Sequence, residues 1–296
     1  MQKDGAPNSE KIAIRISYTS IAVNVVLTVF KLLAGLLAHS GAMISDAVHS
    51  ASDVVSTLIV IVGIRISSKE SDGDHPYGHE RFECVASVLL AVMLGLTGLG
   101  IGYSGIRKIA GVDQGTLVIP GRAALVAAIV SVLLKEAMYW YTRVGAKKIN
   151  STALMADAWH HRSDALSSVG SFAGILASRA GFPVMDPVAS VLICGFILKA
   201  AVDIFRDAAG KMTDHATSPE EQEKIRATIQ SVEGVLQIDE LKTRTFGSRI
   251  FVDVEIGVQG DLSLMEAHAI AEEVHDRIEA EYPAVKHCMV HENPVI

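Results

Sequence analysis

The chain is short of cysteine. Cys84, Cys194 and Cys288 are its only three, widely spaced and without a C-x-x-C pair. That argues against a disulfide framework and against a thiolate zinc knuckle. A basic surplus is lacking too: 26 Lys and Arg face 33 Asp and Glu, a formal net charge of −7. A phosphate backbone needs a cationic face, so nucleic acid is not an expected partner. There is no H-E-x-x-H, the helical imidazole pair with general base that a zinc hydrolase uses. No signal-peptide cleavage site precedes the first apolar run, which is expected to be retained.

What the chain has in quantity is apolar length. Only 20% of residues are charged, and the mean hydropathy of +0.35 is unevenly spread. Apolar segments long enough to cross a bilayer, which takes ~20 residues, recur through the first two thirds. Six spans are expected near Ile12–Leu37, Gly41–Ile66, Phe82–Ile106, Leu117–Tyr141, Thr152–Ser178 and Pro187–Ile204. The third is rich in glycine (Gly95, Gly98, Gly100, Gly102, Gly105), which favours close helix contact. Lys and Arg gather at one set of span ends, Lys11, Arg15, Arg65, Lys69, Arg81, Arg143, Lys147, Lys148, Arg206 and Lys211. The other set carries Arg107, Lys108, Arg122 and Arg179, so both termini are expected in the cytoplasm. Lys31, Lys135, Glu136 and Lys199 fall inside spans and read as snorkelling side chains or as spans drawn too wide; a pathway role is the alternative, with no spacing to support it.

From Thr213 onward the pattern is that of a soluble, acidic module. Ser218-Pro219-Glu220-Glu221 opens a helix with an N-cap and a proline at its first position. It should run to about Val232, with Gly234 as the stop. Val235–Thr245 and Arg249–Val258 read as strands, the second alternating Ile250, Val252, Val254, Ile256 and Val258 with polar or small neighbours. The capping box Ser263-Leu-Met-Glu266 opens a helix to about Tyr282, and Val285–His291 is a last strand. The fold expected is an all-α six-helix transmembrane domain, residues 1–210, followed by a small cytoplasmic α+β domain of order αββαβ, ferredoxin-like, residues 211–296.

Two spans carry the same spacing of ionisable groups. Asp46-Ala-Val-His49-Ser-Ala-Ser-Asp53 and Asp157-Ala-Trp-His160-His-Arg-Ser-Asp164 both read D-x-x-H-x-x-x-D. Steps of three and four residues put each trio on one helix face. An Asp at membrane depth costs ~2.5 kcal/mol or more, so such groups face a partner. Two such faces meeting would hold a divalent ion between imidazoles and carboxylates, a set that suits tetrahedral Zn²⁺. Without thiolates Cu(I) is disfavoured, and without six oxygens so are Mg²⁺ and Ca²⁺; Fe²⁺, Mn²⁺, Co²⁺ and Cd²⁺ remain chemically open. Asp46 and Asp157 read as supporting groups one turn away. His161 points about 100° from His160 and is not expected to be a ligand. The loop Asp72-Gly-Asp-His75-Pro-Tyr-Gly-His79 can converge two imidazoles and a carboxylate if the chain turns there.

On these residues the chain resembles the cation diffusion facilitators, proton-coupled exporters of zinc and iron. The resemblance covers nearly the whole length: six spans, the αββαβ module and the motifs in order. It implies a transport site of His49, Asp53, His160 and Asp164, and a second, cytoplasmic loop site of Asp72, His75 and His79. In the cytoplasmic domain it points to Asp239, Glu255, His268 and His291, with Asn293 where a carboxylate often stands. His268 reads equally well as a helix-surface residue, and His215, His275 and His287 as solvated. Arg81 and Asp214 could form a charged latch, though two unrelated interfacial charges fit as well. The implied protein is a homodimeric secondary transporter, not an enzyme, in a bacterial inner membrane, exchanging Zn²⁺ (or Fe²⁺, Mn²⁺, Cd²⁺, Co²⁺) against H⁺. A metal sensor and an intramembrane metalloenzyme are the competing readings.

Overall fold

The structure is a computed structural model and describes residues 5–37, 41–111, 122–179 and 185–296. Two units divide the chain, Met1–Ala208 and Ala209–Ile296. The first is helical: α1 (Gly5–Leu37), α2 (Gly41–Ser67), α3 (Arg81–Ile109), α4 (Arg122–Ile149), α5 (Thr152–Arg179) and α6 (Met185–Met212). At ~1.5 Å per residue, each is long enough for a ~30 Å hydrocarbon layer. Among the described residues, two stretches, Ser9–Leu33 and Arg81–Arg107, are apolar enough to cross a membrane by composition and length alone. Residues 117–121 of the expected fourth span lie outside the described residues.

The polarity of this unit runs inside out. Leu33, Val62, Leu96, Leu99, Leu133, Val144, Leu192 and Phe196 are exposed, while Ser17, Ser20, Asn24, Ser56, Thr57 and Asp157 are buried. Such a surface suits acyl chains, and the interior polar groups bond across helices, as membrane bundles require. Ser87 Oγ donates to Thr152 Oγ1 at 2.9 Å, tying α3 to α5. Between them Val60, Ile64, Ala86, Leu90, Leu94, Ala153 and Leu154 make an apolar core in which alanine permits close approach. Glycine does the same where α3 meets α6: a Cβ on Gly102 would stand 2.5 Å from Cys194 Sγ, and one on Gly98 2.8 Å from Ile197 Cγ2.

Helices α4 and α6 outlast their expected ends at Tyr141 and Ile204. Falling hydropathy marks where lipid stops, but the backbone ladder continues into water. Lys147 and Lys148 in the last turn of α4, and Lys211 in that of α6, suit the negative end of the helix dipole.

The second unit is α7 (Pro219–Gln230), β1 (Gln237–Phe246), β2 (Arg249–Gln259), α8 (Leu264–Glu281) and β3 (Val285–Val295), the expected αββαβ order. β1 and β2 run antiparallel, β2 and β3 parallel, in the order β1-β2-β3. Both helix starts are capped as the sequence indicates: Ser218 accepts from the Glu221 amide, and Ser263 with Glu266 closes a full capping box. Gly234 takes φ +93°, a conformation that only glycine adopts cheaply. β3 continues past His291 to Val295; as an edge strand it can hold Pro294, whose missing N–H need not cost a ladder bond. The core is Ile225 and Ile229 from α7, the Val252, Val254, Ile256 and Val258 row of β2, Val274 and Ile278 from α8, and Cys288 from β3. Burial, with the Glu279 carboxylate adding, pushes the Cys288 thiol up to about 12. It behaves as a small hydrophobe, and Cys84, Cys194 and Cys288 are not in disulfides.

Candidate metal centres

The first copy of the repeated motif lies in α2 and the second in α5. Asp53, His160 and Asp164 come together, their ligating atoms within 4.8 Å of one another and all three side chains buried. His160 Nε2 stands 3.4 Å from Asp53 Oδ1, and Ser56 Oγ lies 3.4 Å from the same nitrogen. His160 and Asp164 are one helical turn apart on α5, so the backbone alone sets their common face. The side chains of His49 and Asp46 lie outside the described residues.

A fourth group stands in this cluster that the sequence reading placed elsewhere. Lys135, from α4, is 2% exposed and does not snorkel. Its ammonium hydrogen-bonds Asp53 Oδ2 and donates to Asp164 Oδ2 at 3.0 Å. A cation therefore already bridges the two carboxylates. The two carboxylates carry two negative charges and the ammonium offsets one; a divalent ion in place of the ammonium would offset both. Lys31 is likewise buried and donates to Ser50 Oγ at 2.8 Å, tying α1 to α2. Lys199 is exposed and pairs with Asp203 on its own helix. Glu136 accepts from Trp140 Nε1 and lies 3.7 Å from Arg162, whose guanidinium sits 4.3 Å above the Tyr139 ring.

Asp157 serves a separate network. Its Oδ2 lies 3.6 Å from His161 Nε2, and Thr57 Oγ1 approaches its Oδ1 at 3.4 Å. Ser20 Oγ is 2.8 Å from that same His161 nitrogen. These side chains are fully buried and pin α5 to α1 and α2. Asp157 is thus turned to His161 rather than to the cage.

The 67–80 loop folds on Asp72. Asp72 Oδ1 accepts from the amides of His75 (2.8 Å) and Asp74 (3.1 Å), an Asx turn, and Gly78 closes the next bend at φ +97°. The two imidazoles end 4.4 Å apart, centroid to centroid. His79 Nδ1 lies 3.1 Å from the Glu70 carbonyl, which can only accept, so Nδ1 carries the proton. Nε2 faces Asp72 Oδ2 at 3.4 Å. Asp72, His75 and His79 form a convergent donor trio at the surface. The His75 amide, with the two imidazoles adding, holds the Asp72 carboxyl below its ordinary range.

The four donors expected in the cytoplasmic domain do not converge on one point. Asp239 and Glu255 meet at the side-chain amide of Asn293, whose Nδ2 donates to them at 3.0 and 3.3 Å. His291 is the cross-strand partner of Glu255. His268 lies apart on α8, 3.6 Å from Glu272 and 3.9 Å from Glu292. His215 is exposed as expected. His275 and His287 are instead drawn together with Glu279.

A helical bundle with an apolar exterior, and with carboxylates and an imidazole gathered in its interior, defines a membrane protein that handles cations. The family model of the cation efflux transmembrane domain matches residues 17–212, and that of the cation efflux protein cytoplasmic domain matches 217–295. The chain belongs to the cation efflux, or cation diffusion facilitator, family. It is 36% identical over 275 residues to the uncharacterized transporter YdbO of Bacillus subtilis, covering 93% of each chain. To the manganese efflux system protein MneS of the same organism it is 35% identical over 276 residues, again 93% of each. The uncharacterized transporter MJ0449 of Methanocaldococcus jannaschii matches at 35% over 261 residues, 88% of this chain and 91% of that one.

Proposed function

We propose that this protein is a homodimeric secondary transporter that exports divalent metal ions from the cytoplasm in exchange for protons. The observation that carries the reading is the buried cluster of Asp53, His160 and Asp164, already bridged by the cation of Lys135. His49, on the same helix as Asp53, completes the donor set. Zn²⁺ is the first cargo on this reading, since two imidazoles and two carboxylates make a tetrahedral set. Mn²⁺ is the second: two of the three described donors are carboxylates, which suit a harder ion, and MneS is a manganese efflux protein.

The cycle follows from charge. A divalent ion entering from the cytoplasm takes Asp53, Asp164 and the imidazoles, and Lys135 gives up its two partners. The helices then rearrange so that the cluster opens outward. There protons compete for the imidazoles, whose ordinary pKa of ~6.5 lies in the useful range. The ion leaves, the ammonium reoccupies the carboxylates, and the carrier returns. The loop trio Asp72, His75 and His79 stands at the cytoplasmic surface in this topology and collects ions there. The chain lies in a cytoplasmic membrane with both termini inside, and the αββαβ module joins two copies.

Purified protein in liposomes, under an imposed pH gradient, tests this. Zn²⁺ and Mn²⁺ uptake into inverted vesicles is expected for wild type and absent in Asp53→Ala and Asp164→Ala, with the dimer intact in both. Undiminished flux in both variants would sink the site assignment. No flux of any divalent ion in wild type would sink the transport reading.

A further inference from the structure

The cytoplasmic module holds a cluster that neither the sequence motifs nor the transport reading uses. His275 and Glu279 lie one turn apart on α8, and His287 projects from β3 beside them. His275 Nε2 is 3.3 Å and His287 Nδ1 3.7 Å from Glu279 Oε1, and the ligating atoms all lie within 4.8 Å of one another. The two rings meet edge to face at 5.7 Å.

Two donors are oriented by one residue. His275 Nδ1 lies 2.7 Å from the Cys288 carbonyl oxygen. A carbonyl only accepts, so Nδ1 donates to it and Nε2 is the ring nitrogen left to face the cluster. Nε2 faces the Glu279 carboxylate at 3.3 Å, so an imidazole nitrogen and a carboxylate oxygen converge on one point. The Cys288 amide, from the same peptide segment, donates to Glu279 Oε1 at 3.3 Å and fixes the carboxylate. Cys288 is itself anchored in the apolar core. A buried residue thus fixes the ring orientation of one donor and the carboxylate of another, as backbone partners do around bound metal ions. Ligand bonds of ~2.0–2.2 Å in a tetrahedron place neighbouring donor atoms about 3.4 Å apart. The observed separations of 3.3 and 3.7 Å bracket that spacing.

We infer that His275, Glu279 and His287 bind one divalent ion of the imidazole-preferring class, Zn²⁺, Ni²⁺ or Cu²⁺ rather than Mn²⁺ or Mg²⁺. All three side chains are one third to one half exposed, so the ion reaches the site from solvent and keeps a water in its fourth position. Binding ties α8 to β3. The site is independent of the transmembrane cluster, so the two readings stand or fall separately.

Equilibrium dialysis of the full-length protein in detergent, with Zn²⁺ counted per chain, tests it. His275→Gln and His287→Gln should each lose one Zn²⁺ per chain relative to wild type. Glu279→Gln should bind that ion at least ~10-fold more weakly. His215→Gln, exposed and outside the cluster, should keep the wild-type count. Wild-type stoichiometry in both His275→Gln and His287→Gln overturns the inference and leaves a plain histidine–glutamate ion pair. A second measurement needs no variant: Zn²⁺ should shield His275 and His287 of the wild type from diethylpyrocarbonate, read by peptide mass spectrometry. Equal modification with and without Zn²⁺ also overturns it. Flux through the transmembrane site enters neither measurement.

Discussion

Replacing Lys135 by Met should tighten metal binding, contrary to the usual result of disturbing a binding site. The Lys135 ammonium bonds two buried carboxylates, and the three groups are 3%, 1% and 5% exposed. At an effective dielectric constant of ~20, unit charges ~4 Å apart attract by about 4 kcal/mol. Removing one member of a buried pair typically costs ~3–5 kcal/mol, because the other is left buried and uncompensated. In Lys135→Met that cost falls on the protein between cargo ions, and a divalent ion relieves it. Discounting by half for water entry and relaxation leaves about 1.5–2.5 kcal/mol in favour of binding, a ~10- to 70-fold lower Kd. Titration calorimetry of the detergent-solubilised dimer with Zn²⁺ and with Mn²⁺ measures this directly. Lys135→Arg keeps the charge and should stay near wild type. An unchanged or weaker affinity in Lys135→Met, with the dimer intact, would refute the view that amine and metal share the same two carboxylates.

In the same variant, transport should show a lower KM and a lower kcat, since return of the carrier now exposes two uncompensated carboxylates; an unchanged kcat in vesicles would count against that step. Gly102→Leu should push α3 off α6, because even a Cβ there meets Cys194 Sγ at 2.5 Å; the expected loss of ~1–3 kcal/mol is read from thermal melting in detergent. Ile278→Ala, at a fully buried position of the cytoplasmic core, should cost ~2–5 kcal/mol by denaturant titration of that module's unfolding in the full chain. Glu266 accepts from the Ser263 hydroxyl and amide, which lowers its pKa from the ordinary 4.5. A depressed carboxylate pKa contributes stability above the unfolded-state value and loses it as pH falls through the folded one. The α8 capping box should therefore persist at pH 5 and open only below 4.5, a midpoint that carboxyl NMR reports.

Elements that depend on local pattern were legible in the sequence. The six helices follow from apolar length, and both cytoplasmic helix starts follow from Ser218 and Ser263, whose caps are local chemistry. Asp53, His160 and Asp164 were legible because helical spacing repeats on two spans. Lys135 was not. Its partners lie 82 and 29 residues away, and a single lysine in an apolar run looks the same whether it turns outward to lipid headgroups or inward to carboxylates. The one available signal was charge balance: two intramembrane Asp residues needed a counter-cation, and Lys135 and Lys31 were the candidates. His275 and His287 were hidden for a similar reason. A helix residue and a strand residue meet only through the packing of α8 on β3, and the Cys288 carbonyl that orients the imidazole leaves no trace in side-chain identity. Asp157 repeats the position of Asp46 in the motif, and its place as a supporting group beside the donors was legible, but its partner His161 was not.

Arg162 bears on how fast the exchange at Lys135 can be. It stands on α5 between His160 and Asp164, lies 4.3 Å over the Tyr139 ring of α4 and 3.7 Å from Glu136. The helix that carries the amine and the helix that carries His160 and Asp164 are thereby clasped beside the site. With that clasp closed, Lys135 yields to an arriving ion by turning its own four-carbon stem, not by a slide of α4 along α5. Turning one side chain displaces far fewer atoms than a collective helix motion, which takes microseconds to milliseconds. On the proposed cycle, cargo recognition then comes before the bundle begins to move. An unsuitable ion can be released back to the cytoplasm without the protein spending a cycle on it.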